Sequence, residues 1–345
     1  MRILGEVSTK RIVSWAATAF LVAAAIWYLQ SLKSGGVRHP PLEKLIIGSP
    51  LQEISALAYI AEKKGFFSDQ GLDVTIRDYD SGVTSVKGLL DGEIDIALTA
   101  EYVFVSESFD HSDMKVLAAV ADADITEMIA RKDRGIHEIG DLRGKKIGVT
   151  RKGSAEFVLG TFLTFQGLSL RDVTLVDLPP QALVKGISTG KVDAAITWPP
   201  HTLTIKNTLG DKAISWSAQS GHRWYWLAVT TEKAIRDRAP VIRQFLDALL
   251  HAERYAKEKE AGAKDIVAKR MSAGNSYISY YWPKHTFAVT LPQGLLLSME
   301  DEARWRIRNS LTFKKEVPNF LRAIHLGSLE SLNRGAVTVI RERSR

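Results

Sequence analysis

Two stretches of this chain repeat one another, and that self-similarity constrains the fold more than any other feature. Val86-Lys87-Gly88-Leu89-Leu90-Asp91-Gly92-Glu93-Ile94-Asp95-Ile96-Ala97-Leu98 returns 98 residues later as Val184-Lys185-Gly186-Ile187-Ser188-Thr189-Gly190-Lys191-Val192-Asp193-Ala194-Ala195-Ile196. The match extends upstream. Gln70-Gly71-Leu72-Asp73-Val74-Thr75 parallels Gln166-Gly167-Leu168 and, after a short insertion, Asp172-Val173-Thr174; Ser55-Ala56 parallels Ser154-Ala155. Each copy reads strand, helix, strand, helix, strand. The first predicts strands at 44–47, 74–78 and 94–98 with helices at 55–64 and 84–90. The second predicts strands at 146–150, 173–177 and 192–197 with helices at 155–166 and 181–188. Short apolar strands alternating with helices argue parallel βαβ units. A period repeated only twice is no solenoid, which needs about three copies. It predicts an α/β protein of two lobes built alike, each an open, mainly parallel sheet flanked by helices. Ligands of such sheets sit outside the carboxyl ends of the strands, so two facing lobes should form a cleft lined by equivalent loops from both.

Past the second copy the pattern predicts a strand at 224–230 and a long helix at 239–259 with Pro240 in its first turn. The remainder is largely helical, and the chain is expected to return to the first lobe. That assigns residues 44–138 and 226–345 to lobe 1 with its C-terminal helical extension, and 139–225 to lobe 2. Crossings near 131–140 and 223–229 would serve as a hinge.

Residues 12–29 form an apolar run with basic Lys10 and Arg11 before it and Lys33 after it. A spanning helix needs about 20 apolar residues, roughly 17 at least, and a signal-peptide core only about 7–15. Trp27 and Tyr28 stand where an outer aromatic belt lies. Residues 1–33 therefore read as a cytoplasmic tip and a single-pass anchor in the cytoplasmic membrane, with 34–43 as a linker and the bulk of the chain outside. The alternative is cleavage after the small residues Ala23-Ala24-Ala25, which would release a soluble periplasmic protein.

Lys and Arg number 46 against 39 Asp and Glu, a net charge of +7, and part of the excess sits at the chain ends. No basic stripe is interleaved with aromatics, so nucleic acid is not an expected partner. The chain has no cysteine, which excludes disulfides, thiolate metal sites, a cysteine nucleophile and a lipidated N-terminal cysteine. Its 8 histidines show no metal-ligand spacing, and no cofactor or metal is expected.

Two motifs carry a resemblance to a known family. They are Ala61-Glu62-Lys63-Lys64-Gly65-Phe66-Phe67-Ser68-Asp69-Gln70-Gly71-Leu72-Asp73-Val74 and Asp141-Leu142-Arg143-Gly144-Lys145-Lys146-Ile147-Gly148-Val149, the latter followed by Gly153-Ser154. In this order they resemble the nitrate/sulfonate/taurine-type solute-binding proteins, across roughly residues 45–324. The resemblance implies a periplasmic-binding fold of the second topological type and no catalysis. It implies delivery of a small solute to an ABC permease with its ATPase. The family's ligands include inorganic anions, sulfonates and thiamine-pyrimidine precursors.

Candidate ligand residues are those at strand ends. Gly153 and Ser154 open a helix, whose free N–H groups hold anions; Ser154 is equally readable as a plain cap. Glu156 in the same first turn suits the helix dipole but would repel an anion if it pointed inward. Gln52 occupies the matching loop of the first copy. Gly82 and Thr84 lie in its second loop, Thr99 and Glu101 end its third strand, and Trp198 ends the matching strand of the second copy. Trp198 would form an aromatic wall or pack between lobes; Glu101 would imply a cationic group or start a helix. Gly148 and Gly153 have P-loop spacing, but Ser154-Ala155 replaces the Lys and Ser/Thr that phosphate chemistry needs. Gly186-Ile187-Ser188-Thr189-Gly190 matches a nucleophile-elbow pattern with helix and strand in the wrong order, so Ser188 is assigned to a helix end. The expected function is solute capture by a monomer, not catalysis; the alternatives are a cysteine-free enzyme on the same fold or an anchored solute sensor.

Overall fold

The computed structural model describes residues 41–219 and 221–341. The expected anchor at 12–29 and most of the linker lie outside them. Among the described residues no helix is long and apolar enough to cross a membrane.

Both repeats fold as the pattern predicts. In the first, β1 (Glu43–Pro50), β2 (Leu72–Tyr79) and β3 (Ile96–Ala100) are joined by helices Ala56–Lys64 and Gly82–Leu90. In the second, β6 (Lys146–Val149), β7 (Thr174–Asp177) and β8 (Ala194–Thr197) are joined by helices Ser154–Phe165 and Pro180–Ser188. The parallel orders β2-β1-β3 and β7-β6-β8 are the same. One device recurs in both repeats: Asp95 and Asp193, matched in the repeat, each accept a backbone N–H of the first strand, from Ile46 at 2.7 Å and Lys146 at 2.9 Å. The central strands β3 and β8 are buried at every position, and with the buried residues of the flanking helices they build the cores; Ile47, Ile96, Ile147 and Ala194 are completely buried.

The sheets are mixed rather than mainly parallel. The first has the order β11-β4-β10-β3-β1-β2, with β4 (Met114–Ala123), β10 (Trp224–Thr231) and β11 (His285–Thr286) joined by antiparallel pairing. The second has the order β7-β6-β8-β5-β9, with β5 (Glu127–Arg131) and β9 (Ala213–Ser217) added the same way. The cause is the crossing itself. The repeat strands end at the cleft. A strand entered from the cleft, as β5 and β10 are, must run away from it, antiparallel to those neighbours.

The crossings fall at Ala123–Glu127 and Ser217–Trp224, ahead of the expected 131–140 and 223–229, because β5 pairs with β8 and β9 inside the second sheet. The buried Gln219 ties the two crossings together. Its Oε1 accepts the N–H groups of Ile125 (2.7 Å) and Thr126 (2.8 Å) and the Trp224 indole N–H (3.2 Å). Its Nε2 donates to the carbonyls of Ala123 (2.9 Å) and His222 (2.6 Å). After β10 the chain stays with the first lobe: helix Ala239–Glu258 packs on helix Ala56–Lys64, and helix Gln293–Arg308 packs on helix Glu101–Ser108.

Candidate ligand-binding site

Strand ends of both lobes converge on the cleft. Lobe 1 contributes Gln52 after β1, Ser81, Gly82 and Val83 after β2, and Ala100 and Val103 at and just beyond the end of β3. Lobe 2 contributes Gly153 and Ser154 after β6 and Trp198 after β8, while Trp224 and Trp226 enter from β10. These residues leave a cavity of about 20 Å³, enough for a single water. Gln52 also borders an outer recess of about 270 Å³, where Gln181 of lobe 2 donates to Asp80 of lobe 1 at 3.4 Å.

Of the residues singled out from sequence, Gln52, Gly82, Gly153, Ser154 and Trp198 come together on this wall. Thr84, Thr99 and Glu101 do not. The Thr84 hydroxyl is used inside its own helix start, accepting the Ser81 N–H (3.0 Å) and donating to the Ser81 carbonyl (2.9 Å). Thr99 is fully buried behind Gly82. A Cβ at Gly82 would stand 2.5 Å from Thr99 Oγ1 and 3.2 Å from its Cα, so only glycine lets this helix start lie against β3. Glu101 begins helix Glu101–Ser108 with no exposed surface. Burial pushes its carboxyl up to about 8, against the opposing pull of backbone N–H groups at Tyr225 and Glu101 itself. Burial and the neighbouring Glu101 also push the Glu302 carboxyl well up. Burial thus favours the protonated form of both carboxyls.

Two helix starts face the cavity. Helix Ser154–Phe165 has Gly153 at its N-cap and no side-chain cap; the N–H groups of Ser154 and Ala155 find no acceptor among the described residues. At helix Gly82–Leu90 the Ser81 hydroxyl accepts the Thr84 N–H at 3.3 Å, leaving those of Gly82 and Val83 open. The Trp198 indole N–H is buried without a partner among the described residues. No residue on the wall is ionisable at neutral pH. Helix starts carry partial positive charge and hold oxyanions, and three indole rings on the wall add apolar surface.

Glu156 does not point at the cleft. Its Oε2 accepts the Tyr102 hydroxyl (3.1 Å) and the Lys152 N–H (3.1 Å), and Arg306 Nη1 lies 3.4 Å away. Arg223, on the second crossing, is engaged with Asp122 and with the carbonyls of Asp122 (3.1 Å) and Lys284 (3.0 Å). Ser188 ends its helix and donates to the Lys185 carbonyl at 3.0 Å.

Nor do the two lobes supply equivalent loops. The second loop of copy two carries Leu178-Pro179-Pro180 where copy one has Asp80-Ser81-Gly82, and Pro180 has no N–H to offer. The loop 81–85 and the strand end 99–101 are cleft candidates by sequence, but Ser81 reads there as turn and cap chemistry and Trp224 and Trp226 as packing at the lobe junction; Ser81, Val83, Ala100, Trp224 and Trp226 stand on the wall, as does Val103, which the sequence did not point to. The signal for the tryptophans was their alternate spacing on one strand, which puts both on one face. Their N–H groups are taken, by Gln219 at 3.2 Å and the Ser55 hydroxyl at 3.0 Å, leaving the rings for contact. A larger groove of about 690 Å³ lies apart from the cleft on lobe 1, beside Lys115, Lys314, Lys315 and Arg322, and takes in none of the candidate residues.

Two sheets, two crossings and a cleft at the strand ends define the class of two-lobed, periplasmic-binding-protein-like α/β chains. Within it the chain belongs to the family described as NMT1/THI5 like, which matches residues 53–263. It is 27% identical over 188 residues to a Bacillus subtilis (strain 168) protein named for binding aliphatic sulfonates, covering 52% of this chain and 56% of that one. It is 24% identical over 194 residues to the taurine-binding periplasmic protein of Escherichia coli (strain K12), covering 54% and 59%. The chain spans about half the length of the curated relatives it matches. The alkanesulfonate-binding protein SsuA of Xanthomonas axonopodis pv. citri, solved bound to MOPS, shares the fold with a TM-score of 0.72 at 17% identity over 83% of this chain and 99% of that one. A desulfurization enzyme, DSZB, shares it with a TM-score of 0.60 at 15% identity over 85% and 99%.

Proposed function

We propose that the chain is the solute-binding component of an ABC importer and captures a small solute bearing an oxyanion, of the sulfonate, taurine or nitrate kind. One observation carries the reading: two helix starts from opposite lobes, each with open N–H groups, face one cavity whose wall holds no charged side chain. Such donors recognise negative charge without burying a counter-ion. A thiamine-pyrimidine-like ring would use the indole faces instead. With about 20 Å³ left between the lobes, the solute enters only when they part. The wall offers hydroxyls and an amide but no acid–base partner for them, which favours capture over catalysis. The proposed partners are a permease and its ATPase. Residues 12–29 are proposed as the membrane tether of a monomer, and retention in membranes after alkaline washing tests that.

A thermal-shift screen with MOPS, taurine, nitrate, amino acids and pyrimidines tests the solute class, because a ligand at about 100 times its Kd stabilises by about 2.7 kcal/mol. A rise with sulfonates alone supports the reading. A rise with none of the anions, or turnover of a sulfonate or sulfinate, overturns it.

A further inference from the structure

Glu156 departs from the repeat, and two of its partners belong to the other lobe. Ser154-Ala155-Glu156 matches Ser55-Ala56-Leu57, and Leu57 is core. Glu156 is as deeply buried, at 1% exposure, but it is a carboxylate and needs compensation. Its own loop supplies the Lys152 N–H and an ion-pair contact from Arg151 at 3.0 Å. The rest comes from lobe 1. Tyr102 (1% exposed) donates its hydroxyl to Glu156, and Arg306 (3% exposed) donates to that same hydroxyl at 3.0 Å while facing the carboxylate. Arg306 is held to its own lobe by a bond to the Leu311 carbonyl at 2.9 Å. Next to it, Trp305 covers Gly160 of lobe 2 so closely that a Cβ there would stand 2.1 Å from the ring. The Trp305 and Phe157 rings meet edge to face at 5.3 Å.

We propose that Arg306, Tyr102 and Glu156 form a latch between the lobes that holds the cleft closed before any solute arrives. Arg306 is a positioning residue: it touches no part of the cavity wall, but it fixes the first turn of the helix whose Ser154 and Ala155 N–H groups face the cleft. Parting the lobes at the hinge would separate a buried charge from two of its partners, Tyr102 and Arg306. A closed state favoured in this way raises apparent affinity, because less of the solute's binding free energy is used to close the cleft. The inference deepens the solute-binding reading and rests on it for its purpose, but not for its test.

The chain has no cysteine, so spin labels can be placed at Lys87→Cys and Lys185→Cys, exposed positions on helices that begin at the cleft mouth. Pulsed electron–electron distances are then measured on the full-length, solute-free protein. The closed distance should dominate in the parent. Arg306→Met should shift the closed-to-open ratio at least about tenfold toward open, the size expected for a lost charged hydrogen bond, and Arg306→Lys should restore part of it. Tyr102→Phe keeps the ring and its packing and should shift the ratio in the same direction by less. A purely structural role would lower the melting temperature without changing the distances. Unchanged distances in Arg306→Met, or in Tyr102→Phe should the first variant fail to fold, overturn the latch. MOPS is the probe for the second arm: where the parent binds it, Arg306→Met should bind about tenfold more weakly. A parent that binds neither MOPS nor any other solute counts against the solute reading, and the solute-free distances alone then decide the latch.

Discussion

The first helix of each repeat begins alike, at Ser55-Ala56 and at Ser154-Ala155, and the two starts meet opposite surroundings. In lobe 1 the Ser55 hydroxyl is enclosed by the Ser49 hydroxyl at 2.7 Å and the Trp226 indole N–H at 3.0 Å. That helix start belongs to the core of its own lobe. In lobe 2 Gly153 stands where copy one has Ile54, no side chain caps the helix, and the N–H groups remain open toward the cleft. One lobe uses the position for stability and the other leaves it available for recognition. The roles reverse at the second loop, where lobe 1 offers Ser81-Gly82 and lobe 2 has Pro179-Pro180. A duplicated fold thus supplies two sets of loops and needs only one of each kind.

The largest effect that would break this comparison is at Gly82. Gly82→Val drives a side chain into Thr99, and it should cost about 3 kcal/mol of stability and abolish any thermal-shift response to solute. Chemical denaturation reads the first effect; a variant as stable as the parent would remove Gly82 from its packing role.

Next comes the serine pair. Ser55→Ala leaves the Trp226 N–H buried without a partner and should cost about 1–2 kcal/mol. Ser154→Ala should leave stability within about 0.5 kcal/mol and weaken MOPS binding several-fold. Equal stability losses in the two variants would mean that both helix starts are structural.

A smaller effect separates the lobes by pH. In lobe 1, burial raises the Glu53 carboxyl to about 7 and the Glu101 carboxyl to about 8, each above an unfolded value near 4.3. Both bind a proton in the fold that the unfolded chain has released, so unfolding releases protons across this window. Their contribution is complete at and below about pH 4.3 and is lost as pH rises toward 8; below about pH 6.5 it is opposed by the buried His285, which burial holds down to about 4. The melting temperature should fall between about pH 6.5 and 8.5, and Glu101→Gln should flatten the profile. A melting temperature that rises over this range contradicts the assignment.

Smallest is Gly153→Ala. Its backbone (φ −91°, ψ 163°) is open to any residue, and the nearest atoms to a new Cβ would all belong to Thr150, its carbonyl at 3.2 Å and its side chain at 3.7 Å. The change should stay within about 0.5 kcal/mol by denaturation, in contrast with the glycine at the corresponding edge of the cavity in lobe 1. A loss as large as that of Gly82→Val would show that the second-lobe helix start is packed as tightly as the first.

What the sequence determined by itself was the repeating unit. Strand and helix ranges in both copies are set by local apolar periodicity and by glycines at turns, which is why the predicted spans lie within a few residues of those observed. The same periodicity puts Gln52, Gly82, Gly153, Ser154 and Trp198 at strand ends, and strand ends of parallel units share one edge of a sheet. Tertiary structure decided everything that depends on direction and distance across the chain. Whether β5 joins the first sheet or the second depends on which side of the hinge its pairing partners lie, a fact absent from five residues of apolar pattern. The same holds for part of Glu156. Beside its neighbours in sequence it reads as a dipole-stabilising acid at a helix start, and its own loop does supply Arg151 at 3.0 Å; its other basic partner, Arg306, lies 150 residues away and in the other lobe. No local pattern records a partner that arrives only when the lobes meet.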